Sequence, residues 1–233
     1  MDIPPLDIPL VRQEPKSEDD LRCCAQMVFS YFKDETTKEK VRKSIHVYMK
    51  HSGLVRSYFQ DLGRFALKKG YKAIIFHYDW KWWNTDILNS MSKSKKAFTK
   101  ALSELKKEKK EWADKKIVQK EIAYINEGGI FKFEMPTLDN IDNFLIQRIP
   151  VFITVCAEDF YKSPNEKFTH AILVTGVSGE SHTILDPYLA VSEINSKELL
   201  YSWVRSGGRM LVIIPTEKSI KKVSPKSQQT KLL

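Results

Sequence analysis

Two side chains in the second half of the chain have the types and spacing of a general base and its orienting acid. His170 opens the apolar run HAILVTGV, and Asp186 closes the next run, HTILDPY, at an Asp-Pro step. The Gly-Glu-Ser turn between them predicts a hairpin, and antiparallel pairing sets the start of one strand beside the end of the next. An acid meeting a histidine there would fix the imidazole tautomer and stabilise its charged form, as the base and orienter of a nucleophilic triad do. From spacing alone, a histidine at a strand start is more often structural or exposed. His182 is such a residue, and His46, His51 and His77 carry no pattern either. No histidine pair has metal-ligand spacing, so neither a metal nor another cofactor is expected.

The nucleophile candidates are thiols. Cys23 and Cys24 are adjacent, and Cys156 is the only other cysteine. An odd, low count argues against a disulfide framework and fits a reducing compartment. Neighbouring cysteines on a helix point to different sides, and each also packs well as a small buried apolar residue.

The elements that would position these residues can be read from punctuation and periodicity. Residues 1–18 are proline-rich and extended, and Ser17 with three following acids marks a helix start, giving a helix to about Lys33. Further helices are predicted over 37–50 and 54–69, the latter closed by Gly70. Tyr71–Tyr78 reads as a strand. Trp80, Trp82 and Trp83 read as packing beneath a loop. Residues 89–126 read as a solvated, lysine-rich helical insertion. A short strand at IFKFE, a helix over Thr137–Gln147, strands at 150–156, 170–177 and 182–188, a helix over 196–204 and a last strand at 209–215 complete the order. Residues 216–233 read as a disordered basic tail. Helices first and antiparallel strands later predict an α+β domain over residues 1–215.

Bulk properties narrow the setting. The chain has 233 residues, 42% of them hydrophobic, which suits one domain with a normal core. It shows no apolar run long enough for a membrane span and no signal-like N-terminus, so a cytoplasmic protein is expected. The net charge of +9 invites a nucleic-acid partner, but residues 93–120 alone hold eleven lysines against four acids. The charge is local, and nucleic-acid association through these helices is the weakest of the readings.

The order of a Pro-Val strand, HAILVTGV, ILDPY, the helix ELLYSWV and a closing apolar strand resembles the C39-like peptidase family, the bacteriocin-leader-peptidase type of the papain-like fold. The resemblance covers about eighty residues. It implies a papain-like α+β fold with an N-terminal helical lobe and a C-terminal antiparallel sheet, with His170 as general base and Asp186 as its orienter. It extends to the N-terminal half, where Gln13 is similar to the family's oxyanion-hole glutamine and AQMVFSYF to its helix run. In that register Asp20 stands where the family has its cysteine, and Leu21 stands for the customary glycine. Three readings follow. The chain is a pseudo-peptidase binding a peptide or protein in a degenerate cleft; or the helix starts later and Cys23 or Cys24 is the nucleophile of an active thiol peptidase; or Asp20 does acid-base work on another substrate. The slip from Asp20 to Cys24 is one helical turn, ~6 Å of rise, against the ~3 Å reach of a hydrogen bond, so it decides activity.

Overall fold

The computed structural model describes residues 2–14, 17–49, 55–78, 85–110, 112–134, 137–164 and 168–219. After an extended arm come helices α1 (Asp20–Tyr31) and α2 (Lys38–Ser44) and a short hairpin, β1 (Tyr48–Met49) with β2 (Val55–Arg56). Helix α3 (Phe59–Lys69) and strand β3 (Lys72–Phe76) precede three helices, α4 (Thr85–Lys93), α5 (Lys95–Glu108) and α6 (Trp112–Asn126). Strand β4 (Ile130–Lys132) and helix α7 (Leu138–Ile146) lead to β5 (Val151–Cys156), the one-turn helix α8 (Ala157–Phe160), β6 (Thr169–Ser178), β7 (Ser181–Asp186) and β8 (Ala190–Asn195). Helix α9 (Ser196–Arg205) and β9 (Met210–Ile214) come last.

The fold is α+β. Seven strands form one sheet in the order β4-β3-β9-β5-β6-β7-β8, antiparallel at every step except β3–β4. Most residues of β5, β6, β7 and β9 are buried, in consecutive runs, so the middle of the sheet is covered on both faces. The helices that cover it include α1 on β6, α3 on β3 and α9 on β5. At the edge, β8 alternates half-buried and exposed residues. Among the described residues no helix is long and apolar enough to cross a membrane.

Local signals explain most element ends. Gly70 adopts the left-handed conformation at φ 95° and closes α3 behind Lys68 and Lys69. Thr137 and Asn140 form a capping box that starts α7. Two helices are shorter than expected. Helix α2 ends at Ser44 because Ile45 turns to an extended conformation and is buried, and α3 starts only at Phe59 because residues 55–56 pair with β1. Strand β8 and helix α8 were not anticipated.

The lysine-rich segment also differs from a solvated hairpin. In α6, Ile117, Val118, Tyr124 and Ile125 are buried, and the Tyr124 hydroxyl donates to the carbonyls of Ala73 (2.7 Å) and Ile130 (3.0 Å). Lys120 is buried too, 2.5 Å from Asp61. A lysine that looks solvated in sequence is thus half of an internal ion pair, tolerable because the two charges pair closely and the ammonium also donates to the Tyr48 hydroxyl. Thr216 and Ser219 hydrogen-bond to each other in a turn. The rest of the expected tail and the three tryptophans at 80, 82 and 83 lie outside the described residues.

The N-terminal arm is fastened to the sheet. Ile3 exchanges backbone hydrogen bonds with Val177 (2.8 and 2.9 Å), and the Leu6 amide donates to Thr175. Gly176 makes this approach available, since a Cβ there would stand 2.8 Å from the backbone of Pro5. The substitution Gly176→Ala is therefore expected to push the arm outward and cost about 1–3 kcal/mol in denaturant unfolding. Unchanged stability with the arm equally protected from proteolysis would contradict that packing.

Candidate functional site

Three elements converge on one imidazole. Helix α1 begins at Asp20, and its packing on β6 lets Asp20 Oδ2 accept a hydrogen bond from the Ala171 amide at 2.8 Å. The same oxygen lies 3.3 Å from His170 Nδ1. On the other side of the ring, His170 Nε2 is 2.8 Å from Asp186 Oδ1, the two strand ends having been brought together by β6–β7 pairing. Asp186 is fully buried and accepts two further hydrogen bonds, from the Tyr161 hydroxyl and the Tyr188 amide. Sequence reading missed Tyr161, which sits beyond α8 in a stretch without periodicity.

The electrostatics follow from this enclosure. Burial pulls the His170 imidazole down, but hydrogen bonds and charge from Asp186 and Asp20 outweigh it and raise the group to about 9. Burial pushes the Asp186 carboxyl up, and His170, with hydrogen bonds from Tyr188 and Tyr161, more than reverses this, leaving it below its usual value. Partial burial, then the charge of Asp20, push the Glu18 carboxyl up. At neutral pH the centre is an imidazolium held between two carboxylates.

The thiols lie elsewhere. The thiol reading expects a later helix start, whereas α1 begins at Asp20 and the Cys23 amide donates to the carbonyl of the N-cap Asp19 at 2.8 Å. Cys23 is buried, and burial followed by Asp19 pushes its thiol up to about 11. Cys24 is fully buried, its thiol pushed well up by burial and donating to the Ala171 carbonyl at 3.4 Å. Neither thiol hydrogen-bonds to His170. Cys156 ends β5, where its carbonyl accepts from Ser202.

Asp20 stands between two cavities. One, of about 490 Å³, is lined by Gln13, Glu18, Tyr161, Phe168, His170 and Tyr188 among others. The other, of about 140 Å³, lies against Tyr58, Gln60, His77, Thr154 and Ser206. Glu18 and Asp20 border both. Gln13 reaches the first because its backbone N–H donates to the Pro187 carbonyl, just after β7. Rings of Tyr161 and Phe168 flank His170, with centroids 5.8 and 6.5 Å away.

The remaining histidines divide simply. His77 borders the smaller cavity with Nδ1 3.0 Å from buried Glu121, a pairing no spacing signal announced. His182 is buried between Ser196 and Asp142 and ties β7 to α7 and α9. His46 is exposed, and His51 lies outside the described residues.

Two of the solved structures that resemble this one are informative. A protein described as a C39-like peptidase, from Bacillus anthracis, superposes with a TM-score of 0.52 at 12% identity, over 93% of this chain and 98% of that one. A double glycine motif protease from an AMS/PCAT transporter, solved with its leader peptide, gives a TM-score of 0.48 at 17% identity, over 91% and 94%. No protein-family model and no curated protein matches the chain.

Proposed function

We propose that this chain, which has the papain-like fold of the C39-like peptidases, is a pseudo-peptidase that holds a peptide or protein segment in the groove around Asp20. The observation that carries the reading is the 3.3 Å contact between Asp20 Oδ2 and His170 Nδ1. A carboxylate fills the place from which a thiol would have to meet the imidazole. It also favours the imidazolium, and a base that is already protonated at neutral pH accepts no proton. The groove itself keeps room for a ligand and aromatic walls to pack it.

A second reading, an active thiol peptidase using Cys24 or Cys23, draws support from the 2.8 Å His170–Asp186 pair and from Gln13 in the same groove. It requires a buried thiol to leave its packing and displace Asp20. Iodoacetamide labelling followed by mass spectrometry separates the two. The native chain at pH 7 is expected to keep Cys23 and Cys24 unmodified. Fast labelling of either thiol that depends on His170 would overturn the pseudo-peptidase reading.

A further inference from the structure

The groove around Asp20 is rich in acceptors and negative charge. Glu18 has no ion-pair partner among the described residues, and the charges that act on it are those of Asp20 and His170. The His170 charge is already shared by Asp20 and Asp186. In the wall, Gln13 Oε1, an acceptor, is buried without a hydrogen-bond partner. A peptide carbonyl or carboxylate entering here would meet repulsion, whereas a donor would be welcomed by groups that lack one.

The apolar side of the groove faces these acids. Phe168, Tyr188 and Leu189 are 45%, 56% and 53% exposed and leave a surface that an aliphatic chain could cover. An aliphatic stem with a cationic head matches both sides at once, because such side chains bury their methylenes and keep the charge at a polar edge. Glu18 and Asp20 line both cavities, so a segment occupying both would present a side chain, and not a chain end, to the carboxylates.

We infer that the groove selects an extended peptide segment carrying a lysine or arginine side chain, its head against Glu18 and Asp20 and its stem on Phe168, Tyr188 and Leu189. The inference rests on the peptide-binding reading and names its ligand class. It runs against the protein's net charge of +9, which by itself attracts acidic peptides. A preference for basic ones must therefore come from the groove.

The test uses the intact chain, immobilised, and three mixtures of end-capped random hexapeptides that differ at one fixed position, lysine, glutamine or glutamate. Retained peptide is counted by mass spectrometry. The lysine mixture is expected to be retained at least about tenfold over the glutamine mixture, with glutamate lowest, as one satisfied charge contact would give. Both Glu18→Gln, at an exposed position, and Asp20→Asn are expected to shrink that ratio severalfold. Equal retention of all three mixtures would overturn the ligand class while leaving peptide binding in place. A lysine preference unchanged in both variants would overturn the assigned position. Retention no greater than on a bare surface would sink the peptide-binding reading as well.

Discussion

Replacing Asp20 by cysteine is expected to create a thiol that iodoacetamide alkylates at pH 7 about a hundredfold faster than either native thiol of α1. The side chain at this position starts the helix and looks onto His170 Nδ1. A helix N-terminus and a neighbouring imidazolium both favour thiolate, and in such surroundings thiols ionise near or below neutrality. Cys23, held up at about 11, is thiolate in only about one part in ten thousand at pH 7. The lower nucleophilicity of a more acidic thiol returns much of that advantage, which leaves roughly two powers of ten. Adding His170→Ala to Asp20→Cys is expected to slow labelling by about tenfold. If Asp20→Cys labels no faster than the parent, position 20 is not the place where a nucleophile would face the imidazole.

The second large effect concerns stability. His170→Ala leaves Asp20 and Asp186 with like charge around a vacated buried site, and about 3–5 kcal/mol of unfolding free energy should be lost. The same ion triad gives the wild type a characteristic pH profile. The His170 group is raised from 6.5 to about 9, so its contribution is complete below pH 6.5 and disappears as pH climbs through 9. Its size is on the order of 3 kcal/mol. Asp186 is lowered from 3.8, so its share is present above that value and lost on acidification. Stability measured by urea unfolding should hold between about pH 4 and 6.5 and decline towards pH 9. With Asp20→Asn the alkaline decline should still begin near pH 6.5, but end at a lower pH and be smaller. A flat profile from pH 6 to 9.5 would mean that the imidazole is neutral.

How far these features could be read from sequence depends on the range of the interaction. The His170–Asp186 contact is legible because a hairpin makes it local, sixteen residues apart with a turn between. Gly70 and Thr137 are legible because caps act within one turn of helix. The contact of Asp20 with His170 and Ala171 spans 151 positions and arises only when α1 docks on β6. Periodicity cannot announce it, and only the register of a family motif pointed to position 20. The same limit hid Tyr161, the His77–Glu121 pair and the burial of Lys120, all of them polar groups whose partners come from distant elements. Burial of Cys23 and Cys24 was legible as the ordinary behaviour of small apolar residues. Their distance from the imidazole followed from where the helix begins.

Strand β9 joins the two parts of the sheet: β3 and β4 reach β5 only through it. Its partner β3 ends at Phe76, whereas β9 begins at Met210. A ribosome therefore delivers β3 and β4 long before the strand that joins them to the rest, and β5 to β8 also before it. Until then β3 and β5 each show an open edge of unpaired backbone, the kind of surface that captures strands from other chains. Closure at the middle, across so long a stretch of sequence, is also slow. The nascent protein passes through an aggregation-prone interval until the five residues of β9 are made.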